Sequence, residues 1–178
     1  MHVAPGHFLV ASPTLVDPNF QRTVVFLVEH GEDGSLGFVI NRGLDLKLSE
    51  LWADCPDELG HHRIAAQGGP VEPNKGLLLH GDGTLPGTTS MGHGIHIGGD
   101  LTQLIARWGN GPDRLGPRLL LGHSGWGPGQ LAEELEQGVW ILRPGDPTAL
   151  FDRASAGEHF WRRLSDGGNR GLPTPSLN

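Results

Sequence analysis

The sequence predicts an α+β domain built on a mixed, largely antiparallel sheet with short flanking helices. Three observations carry that reading. Two apolar runs, "RTVVFLVEH" (22–30) and "SLGFVINR" (35–42), flank "GEDG", a hairpin signature that demands antiparallel pairing. The later elements do not alternate strand, helix, strand, as a doubly wound parallel sheet would. Glycine (29) and proline (14) are frequent among the 178 residues, which favours many turns and excludes long helices.

The elements follow in order. "HFLVA" (7–11) reads as a first strand, broken by the prolines of "SPTLVDPNFQ". Both hairpin strands are apolar nearly throughout, so both faces are expected to be covered. "LDLKLSELWAD" (44–54) carries Leu44, Leu48, Leu51 and Trp52 near helical spacing, ahead of Pro56. "RIAAQGG" (63–69), "KGLLLHG" (75–81) and "IHIGG" (95–99) read as strands, with "GTLPGTTSMGHG" as a loop. Asp100 caps a helix in which Leu101, Leu104, Ile105 and Trp108 share one face, with Gly109 as its stop. "PRLLLGH" (117–123) is a strand, "GQLAEELEQG" (129–138) a helix and "VWILR" (139–143) a strand. Asp146 caps a helix with Pro147 in its first turn, and "EHFWRRL" continues the helical pattern after Gly157. About eight strands and four or five short helices result. A single domain over 1–164 and a disordered tail over 165–178 are expected.

A net charge of −7 disfavours direct nucleic-acid binding, because non-specific affinity for phosphate backbones comes from positive charge. One cysteine, Cys55, excludes an internal disulfide and cysteine-rich zinc spacings. There is no signal-peptide pattern and no apolar stretch of membrane-spanning length. A cytoplasmic location and no membrane association are the expectation.

The stretch that most invites a chemical reading is "LLLGHSGWGPGQLAEEL" (119–135). A hydrolase elbow needs G-x-S-x-G on a strained strand-to-helix turn, which presents the serine to substrate. Gly122 and Ser124 fit, but Trp126 occupies the place of the last glycine, and Pro128 displaces the helix start. Asp146 or Asp152, followed by His159, supplies a triad order of the kind any chain of this size contains. The segment is read instead as a structural strand-to-helix turn. Its extra capacity is anion binding, through backbone N–H groups at a helix start. His123, Ser124, Gly125, Trp126, Gly127 and Gly129 are the candidate ligand-binding residues there.

Asn41 and Arg42 join them, as a polar pair at a strand end that marks either a pocket rim or a capped turn. Of the ten histidines, His30, His80 and His123 each end an apolar run and could converge on one rim. His93 and His96 would point to opposite faces of a strand, and His61 and His62 lie in a polar loop. No zinc spacing supports a metal site, and neither a metal nor a cofactor is expected. Glu133, Glu134 and Glu136 are read as the solvated flank of a helix.

Three ordered blocks then point the same way. "GHFLVASPTLVDPNFQRTVVFLVEHGEDGSLGFVINR", "GGPVEPNKGLLLH" and "LLLGHSGWGPGQLAEELEQGVWIL" resemble the YqgE/AlgH family of bacterial proteins, and the resemblance spans about Gly6 to Leu164. Gly43 stands where the family usually has proline, and His123-Ser124 where it usually has Tyr-Ala; Ser124 is therefore not the family's nucleophile. The resemblance implies partly barrel-like curvature of the sheet. It also implies the label of transcriptional regulator that the family often carries, tied to alginate regulation in one branch. It supplies no catalytic residues. The functional expectation is a regulatory or binding role without direct DNA contact, more non-enzymatic than enzymatic, with a protein or small molecule as partner. The alternative is a protein that binds a phosphate- or carboxylate-bearing ligand, or a hydrolase, with its site at the 122–130 turn.

Overall fold

A computed structural model describes residues 2–108, 117–151 and 157–166, with only the backbone at 108 and 151. Its strands are β1 (Phe8–Ala11), β2 (Val24–Gly31), β3 (Gly34–Val39), β4 (Ala65–Gln67), β5 (Val71–His80), β6 (Thr88–Ser90), β7 (His96–Gly98), β8 (Arg118–Trp126) and β9 (Trp140–Arg143). Its helices are α1 (Leu48–Leu51), α2 (Leu101–Trp108), α3 (Gln130–Glu136), α4 (Pro147–Phe151) and α5 (Glu158–Asp166). The sheet runs β6-β7-β5-β8-β3-β2-β1-β9, with β4 also paired to β8. Every pair is antiparallel except β4–β8. The α+β class and the mixed, curled sheet are thus as the sequence and its resemblance predicted.

The apolar runs behave as expected of strands covered on both faces. All four residues of β1 and the first four of β2 are buried. The β2–β3 hairpin closes across Glu32-Asp33, with Gly31 opposite Gly34. Phe160 of α5 meets Phe8 edge-on, and Trp161 Nε1 donates to Ala11 O at 2.7 Å, which fastens α5 to β1. Asp100 Oδ1 accepts from Gln103 N–H, and Asp146 Oδ1 from Thr148 and Ala149 N–H, so both act as N-caps. Leu104 and Ile105 are the buried face of α2.

Four expectations about the elements change. The helix expected over 44–54 is a single turn, because Leu44 N–H bonds Ala65 O and Gly43 bridges Ala66, drawing that stretch to the sheet edge. The loop expected over 83–94 contains β6, which makes nine strands among the described residues. Helix α5 continues through Ser165 and Asp166, two residues into the expected tail; 167–178, Gly109, Asp152 and the Trp108 side chain lie outside the described residues. Most important for function, "GHSGW" is not a turn. It is the second half of β8, with Gly37, Leu36 and Ser35 of β3 opposite Ser124, Gly125 and Trp126. The turn falls at Gly127–Gly129, where Gly129 takes φ +76° before α3.

Strand β8 changes neighbours in mid-course. Leu119–Leu121 pair with β4 on one side and β5 on the other, and Ser124–Trp126 then pair with β3. The crossing passes Gly122 (φ +75°), where a Cβ would lie 2.3 Å from Gly69 O, and a Cβ on Gly69 would lie 2.2 Å from His123 O. Only glycines let the two backbones approach so closely.

Glu134, expected on a solvated flank, instead joins α3 to the sheet. Its Oε2 accepts from both Trp126 Nε1 (2.9 Å) and Trp140 Nε1 (2.7 Å), and Gln130 Nε2 donates to its other oxygen. The two indoles pack edge to face at 5.9 Å, with Phe20 against both. A charged acceptor strengthens each hydrogen bond to about 1.5–3 kcal/mol net. Glu134→Ala is expected to lower the unfolding free energy by about 2–4 kcal/mol, with Glu134→Gln closer to the wild type. Urea denaturation followed by tryptophan fluorescence checks this, and a loss under about 0.5 kcal/mol would remove Glu134 from that role.

Candidate functional site

The residues singled out by sequence are placed by the fold in two groups. Asn41 is 4% exposed. Its Oδ1 accepts from Val24 N–H at 2.9 Å, and its Nδ2 donates to Arg22 O and Gly157 O. Arg42 donates to Asn19 O (2.7 Å), Pro18 O (3.0 Å) and Gln21 O (3.4 Å). Burial lowers the Arg42 pKa, and nearby Asp17 opposes that effect. The pair is thus the capped-turn alternative: it staples the 17–22 loop to the end of β3.

The other group lies at the far end of β3. Gly37 opposite Ser124 is four residues from Asn41, roughly 13 Å of extended chain, so the two groups do not converge. Ser124 is 1% exposed and its Oγ donates to Gly68 O, which leaves no path for a substrate. Asp146 serves as a helix cap and His159 is exposed on α5. The geometry of a hydrolase elbow is absent at Ser124. At the turn itself, Gly127 N–H donates to Gln130 Oε1, and Gln130 N–H donates back to Gly127 O.

The histidines separate as well. His30 Nδ1 lies 2.7 Å from Ser35 Oγ, and His123 Nδ1 lies 3.9 Å from Glu72 Oε2. His80 is buried: its Nδ1 accepts from Asp82 N–H (3.1 Å), so its proton sits on Nε2, which donates to Gly98 O (2.8 Å). Among the described residues no group of three His, Cys, Asp or Glu side chains could hold a metal ion.

A cavity opens elsewhere, at the edge where β4 runs parallel to β8. It measures about 330 Å³ and is lined by Ile40, Leu44, Ile64, Ala65 and Ala66, with Asp45, Arg63 and Arg118 as its charged groups. The backbone bonds Leu44 N–H to Ala65 O and Leu119 N–H to Ile64 O hold its walls together. Asp45 Oδ1 lies 2.7 Å from Arg63 Nε at the mouth. Its charged lining is thus two guanidinium groups and one carboxylate, while Ile40, Ile64, Ala65 and Ala66 beneath them are buried. The guanidinium N–H groups suit a small anion, and the volume lies at the low end for small-molecule sites.

Sequence reasoning missed Asp45, Arg63 and Arg118. Each arginine stands just before an apolar run, in "RIAA" and "RLLL", which reads as an ordinary solvated strand end. The register Ala65↔Leu119 brings those two strand starts to one level. Only the parallel pairing joins the cations, and no local pattern encodes it. A second, smaller hollow of about 240 Å³ is lined by Lys47, Ser49, Cys55, Asp57, Gly60 and His61.

Two outcomes follow for the polar groups already placed. Arg42→Ala is expected to cost about 1–3 kcal/mol of stability and to expose the 17–22 loop to proteolysis, with Arg42→Lys recovering only part. Unchanged unfolding and cleavage would show the three carbonyl bonds to be idle. Burial pushes the His80 pKa down; the bond to Gly98 O opposes this, His96 adds to it and Asp82 opposes it. The folded form therefore resists protonation while the unfolded chain takes up a proton below pH 6.5. Stability is complete above that pH and falls as pH drops through it toward the folded-state value. The pH slope of the unfolding free energy between about 7 and 5 is expected to flatten in His80→Gln; an identical slope would exclude His80 as its source.

Comparison with known proteins agrees with the architecture. The model of the AlgH-like family matches residues 8–167. A UPF0301 protein of Nitrosococcus oceani is 38% identical over 155 residues, covering 83% of this chain and 81% of its own. The UPF0301 protein AlgH of Pseudomonas aeruginosa is 40% identical over 153 residues, covering 82% and 79%. The solution structure of AlgH from that species superposes with a TM-score of 0.69 at 35% identity, covering 99% of this chain and 95% of that one. The crystal structure of protein DIP2367 from Corynebacterium diphtheriae shares the fold, with a TM-score of 0.73 at 23% identity over 98% and 90%. With the family model spanning nearly all of the described sheet and helices, this chain belongs to the AlgH-like family.

Proposed function

We propose that the protein is a binding protein with a regulatory role, whose small anionic ligand sits in the Asp45–Arg63–Arg118 cavity and whose effect passes to a protein partner rather than to DNA. The observation that carries this reading is that two arginines line one open cavity. The net charge of −7 supports the exclusion of DNA, since the positive field that draws in phosphate backbones is missing. No described helix is long and apolar enough to cross a membrane. The ligand chemistry is the phosphate or carboxylate class expected from sequence, moved away from Asn41, Arg42 and the 122–130 segment. In those places Asn41, Arg42 and Ser124 bond backbone groups of the protein itself.

Calorimetric unfolding with a panel of small carboxylates and phosphates tests the proposal. A ligand at a hundred times its Kd adds about 2.7 kcal/mol, which for a chain of this size raises Tm by about 5 °C or more. The rise is expected with at least one class of anion and is expected to vanish in Arg118→Gln and Arg63→Gln. A panel without effect would end the reading, as would a gel shift showing tight, sequence-specific DNA binding at physiological salt.

A further inference from the structure

Strand β5 ends in His80, and the chain then turns through Gly81-Asp82-Gly83-Thr84 on its way to β6. We propose that this turn is an acid-operated latch: a proton taken up at His80 Nδ1 expels the Asp82 N–H and draws the Asp82 carboxylate from Arg107 of α2 to the imidazolium. The inference is independent of the anion site, because none of these residues lines that cavity.

The two ring nitrogens respond differently to a proton. Nε2 lies 2.8 Å from Gly98 O and 3.0 Å from Thr88 Oγ1, whose own hydroxyl donates to Ile97 O at 3.1 Å. That nitrogen is a donor in both charge states, so β6 and β7 keep their hold on the ring. Nδ1 of the neutral ring accepts from Asp82 N–H at 3.1 Å. Once protonated it is a donor facing a donor, and the contact turns from attractive to repulsive. His80 is 2% exposed, so the new N–H has no route to water while the turn stays closed.

Asp82 is the acceptor at hand. Its Oδ1 accepts from Thr84 N–H (2.9 Å) and Thr84 Oγ1 (2.6 Å), and its Oδ2 takes a longer contact of 3.3 Å from Arg107 Nη1. The Thr84 bonds, aided by Arg107, hold the Asp82 pKa below the usual carboxylate range, so the group is still ionised where an imidazole gains its proton. The Arg107 contact is long and partly exposed, which makes it weak enough to exchange. Arg107 also donates to Thr84 Oγ1 at 3.1 Å, a neutral acceptor that holds it less firmly than the carboxylate does. Glycines on both sides of Asp82 give the turn the backbone freedom to move.

His96 of β7 is the other titratable group that faces His80. The two pair in register, with ring centroids 6.0 Å apart. The same turn covers His96: Gly83 lies so close that a Cβ there would come within 3.0 Å of His96 Cε1. His96 Nδ1 is buried with no hydrogen-bond partner. Lifting the turn admits water beside this ring, which offsets part of the cost of opening. Burial is the largest influence on His80 and lowers its pKa; the bond to Gly98 O opposes that, His96 adds to it and Asp82 opposes it. The latch is therefore closed at pH 6.5 and above, and opens as pH falls through the lower folded-state value.

NMR spectra of the full chain, recorded from about pH 7.5 to about pH 5, test this by following the His80 ring, the Asp82 amide and the Arg107 side chain together. The Asp82 amide is expected to exchange with water about tenfold faster once His80 is protonated, after correction for the intrinsic effect of pH on exchange. Its transition is expected to share the midpoint of the His80 ring, and the Arg107 side chain to gain mobility over the same range. Amides of β1 and β2 are expected to keep their protection throughout. Asp82→Asn removes the carboxylate that receives the imidazolium and is expected to lower the His80 midpoint by about half a pH unit; Arg107→Gln frees that carboxylate and is expected to raise it by about as much. Both substitutions lie at partly exposed side chains, so they decide the matter even if His80→Gln, which is expected to abolish the transition, fails to fold. An Asp82 amide that stays protected while His80 titrates would overturn the latch, as would a His80 ring that takes up no proton above about pH 5. Loss of protection in β1 and β2 together with Asp82 would also overturn it, since that marks global unfolding. A His80 midpoint indifferent to Asp82→Asn, or an Arg107 side chain that does not respond to pH, would overturn the exchange of partners.

Discussion

The backbone ladder of β8 is the constraint on which the rest of the structure depends. A strand can bond on two edges only, yet β8 serves three partners, β3, β4 and the bulged β5, by dividing its length. Its first half is clasped between β4 and β5, and its second half continues into β3. Gly122, Gly68 and Gly69 make this division possible, because the connection between β4 and β5 passes within contact of the β8 backbone. The β2–β3 hairpin on one side and the β5–β7–β6 strands on the other are thereby joined in one sheet.

Around this sheet, polar side chains do the work of attachment. Glu134 ties two indoles to α3, Arg42 and Asn41 bind the 17–23 loop to β3, and His80 fixes the turn after β5 to the β7 end. The groups around Asn41, Glu134 and His80 are withdrawn from water, which makes a single acceptor or donor worth more than it is in water, whereas Arg42 bonds carbonyls of an exposed loop. This explains why several residues with catalytic-looking chemistry have no outward role. Their hydrogen-bonding capacity is directed at the protein's own backbone and indoles.

The candidate site has the opposite character. Its two arginines stand near the starts of β4 and β8, and its charged groups face an open hollow rather than the protein's own interior. The only parallel pair among the described residues, β4 with β8, creates it: antiparallel neighbours would have sent the two arginines to opposite ends. The site is therefore a product of topology more than of any motif.

What the sequence determined by itself was the set of elements and their class. The hairpin at 22–42, the helix caps at Asp100 and Asp146, the amphipathic face of α2 and the α+β character all follow from periodicity and turn chemistry within a short window. Three ordered blocks also identified the family. What only the tertiary structure decided was every assignment that depends on a distant partner. "GHSGW" looks like a turn because glycines are read locally, yet β3 extends it as strand by supplying a ladder of hydrogen bonds. Glu134 looks solvated because its indole partners lie eight and six residues away and meet it only once α3 folds back on the sheet. Arg63 and Arg118 look like separate strand ends, 55 positions apart, until the parallel pairing of β4 and β8 brings both to the lining of one cavity. Local propensity acts over a few residues, whereas strand pairing acts across the whole chain, and the residues that build the cavity are brought together by the second.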